Sequence, residues 1–154
     1  MNMSTQPTST PQALAEAASQ AMWTRDNATH ALGMALVSVT PGRAVLRMKV
    51  RPDMVNGHHI CHGGLIFTLA DSAFAYACNS YNLNTVASAC SIDFLAPGRE
   101  GEVLEATAIE RSASGRTGVY DVEVKVVDAH TVALFRGKSY RIKGEVIAGL
   151  EGQP

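Results

Sequence analysis

A single carboxylate in an otherwise apolar run constrains this chain more than any other feature. From Gly63 the sequence reads Gly-Gly-Leu-Ile-Phe-Thr-Leu-Ala-Asp-Ser-Ala-Phe-Ala-Tyr-Ala-Cys, and Asp71 is its only residue that ionises near neutral pH. The run is too short and too polar at its ends for a membrane span. It predicts a buried helix from about His62 to Tyr81, apolar almost all round, and such a helix has to be enclosed on every side. A charged carboxylate in that company is expensive unless it is paired, hydrated or used. One curved sheet covers about half of the helix, so a second copy of the protein is expected over the rest.

The remaining sequence supplies strands. Met34 to Thr40 and Arg43 to Val50 flank a Pro41-Gly42 turn, and in the second run Ala44, Leu46, Met48 and Val50 alternate with Arg43, Val45, Arg47 and Lys49. A loop from Arg51 to His62 carries His58, His59 and His62. After the helix, strands are expected over Thr85–Leu95, Gly101–Ser112, Thr117–Asp128 and Thr131–Ile142, with turns at Pro97-Gly98, Ser114-Gly115 and Asp128-Ala129-His130. Short connections favour antiparallel neighbours, which predicts a four-strand meander. Ahead of the hairpin, Pro11 to about Ala31 predicts an amphipathic helix. Residues 1–11, rich in Ser, Thr, Gln and Pro, are expected to form a mobile tail, residues 12–145 one domain, and residues 146–154 a C-terminal tail.

Composition narrows the function classes. The chain has 154 residues, 46% hydrophobic and 18% charged, which suits one globular domain. A net charge of -1 argues against a nucleic-acid partner held by a broad basic field. Cys61, Cys78 and Cys90 form no CxxC pair, and the N-terminus shows no basic stretch followed by an apolar one. Both point to the cytoplasm.

The chemistry concentrates at the start of the helix. Asn56-Gly57-His58-His59-Ile60-Cys61-His62-Gly63-Gly64 leads into it, and glycines at a helix start leave backbone N–H groups free to stabilise an oxyanion. The competing reading is that Gly63 and Gly64 let the helix pack close to a strand. Asp71 lies eight residues on, about 12 Å along the axis, so the two cannot address one atom within a chain. Two such helices packed antiparallel across a twofold axis bring Asp71 of one to the Gly63 end of the other. Alternatively, Asp71 caps a loop or pairs with a buried Arg. His58, His59, Cys61 and His62 are too compact for one metal ion to use all four, and no metal is expected. Cys61 and Cys78 read as small buried hydrophobes rather than nucleophiles. Arg111 to Gly118 is a basic hairpin tip that either holds phosphates or is a solvated turn, and Asn79, Tyr76 and Tyr140 are candidates to line a pocket.

These residues resemble a known family. Asn56-Gly57-His58, Cys61-His62-Gly63-Gly64 and Leu69 to Ala77 are similar to the hotdog-fold acyl-CoA thioesterases of the phenylacetate-degradation (PaaI) type, as are Val86–Leu95, Thr117–Glu123 and Val132–Ser139. The resemblance covers about residues 22 to 145. It implies an α+β hotdog fold, a curved antiparallel sheet around one long central helix, here with an N-terminal helix added. It further implies a homodimer with a continuous sheet, assembled into a homotetramer as a dimer of dimers. The implied activity is hydrolysis of (hydroxy)phenylacetyl-CoA or related esters, with coenzyme A as part of the substrate and no separate cofactor. By the same resemblance Asp71 is general base or nucleophile, the Gly63 N–H is the oxyanion donor, and Asn56 and His62 shape the site. Gly64, Arg116, Arg141 and Lys143 are the substrate-binding candidates. The rival readings are a hotdog hydratase or dehydratase using His62 or His58, and a non-catalytic acyl-CoA binding module.

Overall fold

The structure, a computed structural model, describes residues 9–153. Helix α1 (Pro11–Trp23) is capped by Thr10, whose side chain accepts the Ala13 N–H, with proline at its first position. The expected helix through Ala31 is broken in two, and α2 (Asn27–Ala31) follows a turn. Asp26 explains the break. One carboxylate oxygen accepts the Thr29 N–H at 3.2 Å and caps α2, while the other accepts the Tyr76 hydroxyl at 2.9 Å. The acid thereby anchors the N-terminal segment to the central helix.

Six antiparallel strands follow: β1 (Ala35–Thr40), β2 (Arg43–Lys49), β3 (Leu83–Phe94), β4 (Val103–Ser114), β5 (Thr117–Val126) and β6 (Thr131–Glu145). Between β2 and β3 lies α3 (Gly63–Cys78). The strand order is β1-β2-β4-β5-β6-β3, which corrects the expected four-strand meander. Strands β4, β5 and β6 do run as a meander, because two and four residues join them. The β3–β4 connection is eight residues long and crosses beneath the start of α3, where the Cys61 N–H donates to the Gly98 carbonyl at 2.8 Å. That reach frees β3 from β4 and lets it pair with β6 at the sheet's far edge, with Cys90 opposite Gly137.

The core lies between α3 and the concave face of the sheet. Leu69, Ala70, Ala73, Phe74, Tyr76 and Ala77 pack from the helix against Leu46, Met48, Ala106, Ala108, Val122, Val124 and Phe135. Gly137 permits the closest approach, since a Cβ there would meet the Phe74 ring at 2.8 Å. The convex face carries ion pairs instead, including Arg136 and Arg111 on Asp121, which hold that carboxyl below its ordinary range.

The C-terminal segment is tied down rather than loose. Val146 is buried, the Ile147 N–H donates to the Asn82 side-chain oxygen at 2.8 Å, and the Gln153 N–H donates to the Tyr81 carbonyl at 3.0 Å. The expected N-terminal tail falls largely outside the described residues. Among those residues, no helix is long and apolar enough to cross a membrane.

Candidate active site

The sequence around His62 ends an extended loop and starts α3. His62 has β-region backbone angles, and its Nδ1 accepts the Gly64 N–H at 2.9 Å. Its carbonyl accepts the Leu65 and Ile66 N–H groups. The Gly63 N–H is left without an acceptor among the described residues. It is therefore an unpaired donor at the positive end of the helix dipole. Gly64, expected to share in substrate binding, donates its N–H to the His62 cap.

Asn56 organises the loop before the helix. Its Oδ1 accepts the His58 N–H at 2.9 Å and the Ile60 N–H at 3.4 Å, while its Nδ2 has no acceptor among the described residues. A bridge between Val55 and Cys61 closes this loop and leaves His58 and His59 exposed, with Cys61 turned into the core. Among the described residues, no group of three or more His, Cys, Asp and Glu is placed to hold a metal ion.

The close-packing reading of the glycine pair has a structural basis at Gly63. A Cβ on Gly63 would lie 3.1 Å from the tip of the Phe94 ring, so the end of β3 does pack tightly on the helix start. The same packing walls a cleft of about 350 Å³, lined by Asn56, Ile60, Gly63, Phe94, Leu95 and Pro97. Phe94 and Leu95, which sequence reasoning missed as site residues, are 54% and 57% exposed there. A matching stretch of strand signalled β3 but not what its end would touch.

Asp71 sits on the one stripe of α3 that the sheet leaves uncovered. Gly64, Thr68, Asp71, Ser72 and Ala75 form it at helical spacing, none of them fully buried. Thr68 and Ser72 donate their hydroxyls to carbonyls one turn back, at 2.8 and 2.7 Å. No hydrogen bond or ion pair to the Asp71 carboxylate is found among the described residues, so it is neither a loop cap nor the partner of a buried Arg. Partial burial pushes its pKa above the ordinary carboxylate value. Nearby, burial pushes the Cys78 thiol up to about 12 and the Cys61 thiol up to about 11. Both stay protonated near neutrality, which removes them as thiolate nucleophiles. Within one chain Asp71 and Gly63 remain about 12 Å apart along the axis and roughly 80° apart around it.

At the opposite end of α3 a second cavity of about 300 Å³ brings together Cys78, Tyr81, Glu110, Arg116, Tyr120 and Arg141. The Arg141 N–H donates to the Arg116 carbonyl at 2.7 Å, which holds the two guanidinium-bearing residues side by side. Lys143 is exposed two residues further along β6 and does not line this cavity. Glu110 accepts the Tyr120 hydroxyl at 2.7 Å, and burial together with Glu110 pushes the Tyr81 pKa up to about 12. The sequence marked the hairpin tip with Arg116, and Arg141 by resemblance, but not Tyr81, Glu110 or Tyr120. The other pocket candidates separate: Asn79 closes the C-terminus of α3 against Thr85, Tyr76 is spent on Asp26, and Tyr140 is 41% exposed on β6.

A curved antiparallel sheet around one helix defines the hotdog class, and here that helix starts at a free glycine amide and carries an unpaired acid two turns on. The Thioesterase superfamily model matches residues 58–133. The acyl-coenzyme A thioesterase PaaI of Escherichia coli is 54% identical over 126 residues, covering 82% of this chain and 90% of that one. The E. coli PaaI structure aligns with a TM-score of 0.87 and 51% identity, covering 88% of this chain and 99% of that one. A Streptococcus mutans protein solved with acetyl CoA aligns at a TM-score of 0.68 and 26% identity, over 71% of this chain and 88% of that one. The chain belongs to the PaaI-type acyl-CoA thioesterases of the thioesterase superfamily.

Proposed function

We propose that the protein hydrolyses acyl-CoA thioesters, with phenylacetyl-CoA and its ring-hydroxylated forms as substrates, in a cytoplasmic site shared by two copies of the chain. The observation that carries this reading is the unpaired Asp71 carboxylate on the uncovered stripe of α3. A structural acid would be paired, and a passive binding module gains nothing from a desolvated carboxylate beside an acyl chain.

Two further features support a shared site. The edge of β3 away from β6 is unpaired, and most of the strand is exposed. Pairing β3 with its symmetry mate closes the sheet across a twofold axis and sets two α3 stripes antiparallel. Asp71 of one chain then approaches the Gly63 N–H of the other, giving two sites per homodimer. A dimer of dimers completes the homotetramer.

The thioester carbonyl oxygen accepts the Gly63 N–H, a bond that strengthens as negative charge develops on that oxygen. The free Nδ2 of Asn56 is a second donor at the same cleft. Asp71 either draws a proton from an attacking water, or attacks the carbonyl itself to form a mixed anhydride that water then cleaves, and in both cases the thiolate leaves as coenzyme A. Arg116 and Arg141, with Lys143 beyond them, meet the coenzyme's phosphates. Coenzyme A enters as substrate, and no other cofactor is invoked. A hydratase needs a histidine beside its acid, whereas His62 is engaged as a cap and His58 is exposed.

Thiol release from phenylacetyl-CoA tests the proposal. Asp71→Asn is expected to lower kcat by at least about a hundredfold while the protein stays folded. Wild-type turnover by that variant would remove Asp71 from the reaction.

A further inference from the structure

A thioester presents two unlike arms to the Gly63 amide, and the two cavities differ in the same sense. The coenzyme arm ends in phosphates and needs cations, which of these two the Arg116–Arg141 cavity offers. No charged side chain lines the cleft at Gly63. Its walls are Ile60, Phe94, Leu95 and Pro97, with Asn56 the one polar side chain. At about 350 Å³ the cleft lies toward the small end of ligand pockets, a size for one ring rather than a long chain. Its most unusual wall is Phe94, a 54% exposed aromatic whose ring tip rests on the glycine carrying the free amide. An adjoining pair of exposed apolar side chains, Phe94 and Leu95, is a surface awaiting a cover.

We infer that this cleft holds the aryl group of the thioester and that Phe94 selects aromatic over straight-chain acyl groups by packing against that ring. The inference rests on the thioesterase reading above. Two rings gain from offset or edge-to-face packing beyond their buried area, a gain that an alkyl chain does not share. Because Phe94 also touches Gly63, a ring seated on it is delivered to the amide donor in the same step.

The measurement is kcat/KM by thiol release for phenylacetyl-CoA and for hexanoyl-CoA, in the wild type, Phe94→Ala and Phe94→Leu. The leucine variant keeps apolar bulk over Gly63 and lacks only the ring, so it carries the test if the alanine variant folds poorly. The phenylacetyl-to-hexanoyl ratio is expected to fall about tenfold in both variants. A ratio that stays constant, whether the two rates hold or drop together, overturns the role of Phe94 and leaves the hydrolase reading standing. A wild type that releases thiol from neither ester overturns both.

Discussion

Asp71 costs the fold something at neutral pH. Partial burial raises its folded pKa above the unfolded value, so the folded state favours the protonated acid. The contribution of such a group to stability is fully present below the unfolded carboxylate pKa and is lost as pH rises through the folded one. Near neutrality the group is therefore a net burden, and an amide of the same shape carries none. Asp71→Asn is expected to melt at a higher temperature than the wild type near neutral pH. The advantage should shrink to nothing once the pH falls below the ordinary carboxylate range, and thermal unfolding followed across that range reads it. A variant that is less stable at every pH would mean that the carboxylate has a partner in the assembled protein. The expected pairing of higher stability with lost turnover is the mark of an acid kept for chemistry.

At the scale of elements, α3 depends on how its first turn is finished. The His62 side chain satisfies one of the free N–H groups there, and His62→Ala is expected to cost about 1 kcal/mol in a denaturant titration. His62→Asn should recover most of that loss, because asparagine caps the same position well. The boundaries of this helix were legible because an apolar run, two glycines and a lone acid are local signals. So were the hairpin and the three strands joined by tight turns. The break at Asp26 was less legible, since the acid's second partner is Tyr76, fifty residues away. The place of β3 at the sheet edge was hidden for a related reason. Strand patterning states which residues face inward but not which neighbour a long connection reaches. At the site, Gly63 and Asp71 announced themselves within one segment. Phe94 and the Glu110–Tyr120 pair did not, because their meaning comes from contacts between separate elements.

At the scale of the whole molecule, the single chain leaves two surfaces uncovered, and the proposed homodimer is read from them. The stripe of α3 carrying Asp71 and the open edge of β3 are left free by the same fold, and the proposed twofold axis would cover both. Within one chain the acid and the amide stay about 12 Å apart along the helix, so the proposed chemistry takes one from each copy. This dependence can be separated from ordinary subunit stabilisation. Gly63→Pro removes the amide hydrogen at the first helical position, where proline suits the helix and the extended backbone of His62 accepts a following proline. The Phe94 ring has to give by a few tenths of an ångström, since a Cβ there lies 3.1 Å from it. Homodimers of Gly63→Pro and of Asp71→Asn are each expected to be nearly inactive. Mixed dimers bring one intact acid to one intact amide and so regain one of two sites, about half of wild-type turnover per dimer. Co-expression with two different affinity tags isolates the mixed species, and thiol release measures it. Mixed dimers as inactive as their parents would place acid and amide in the same subunit's site, against the geometry of α3.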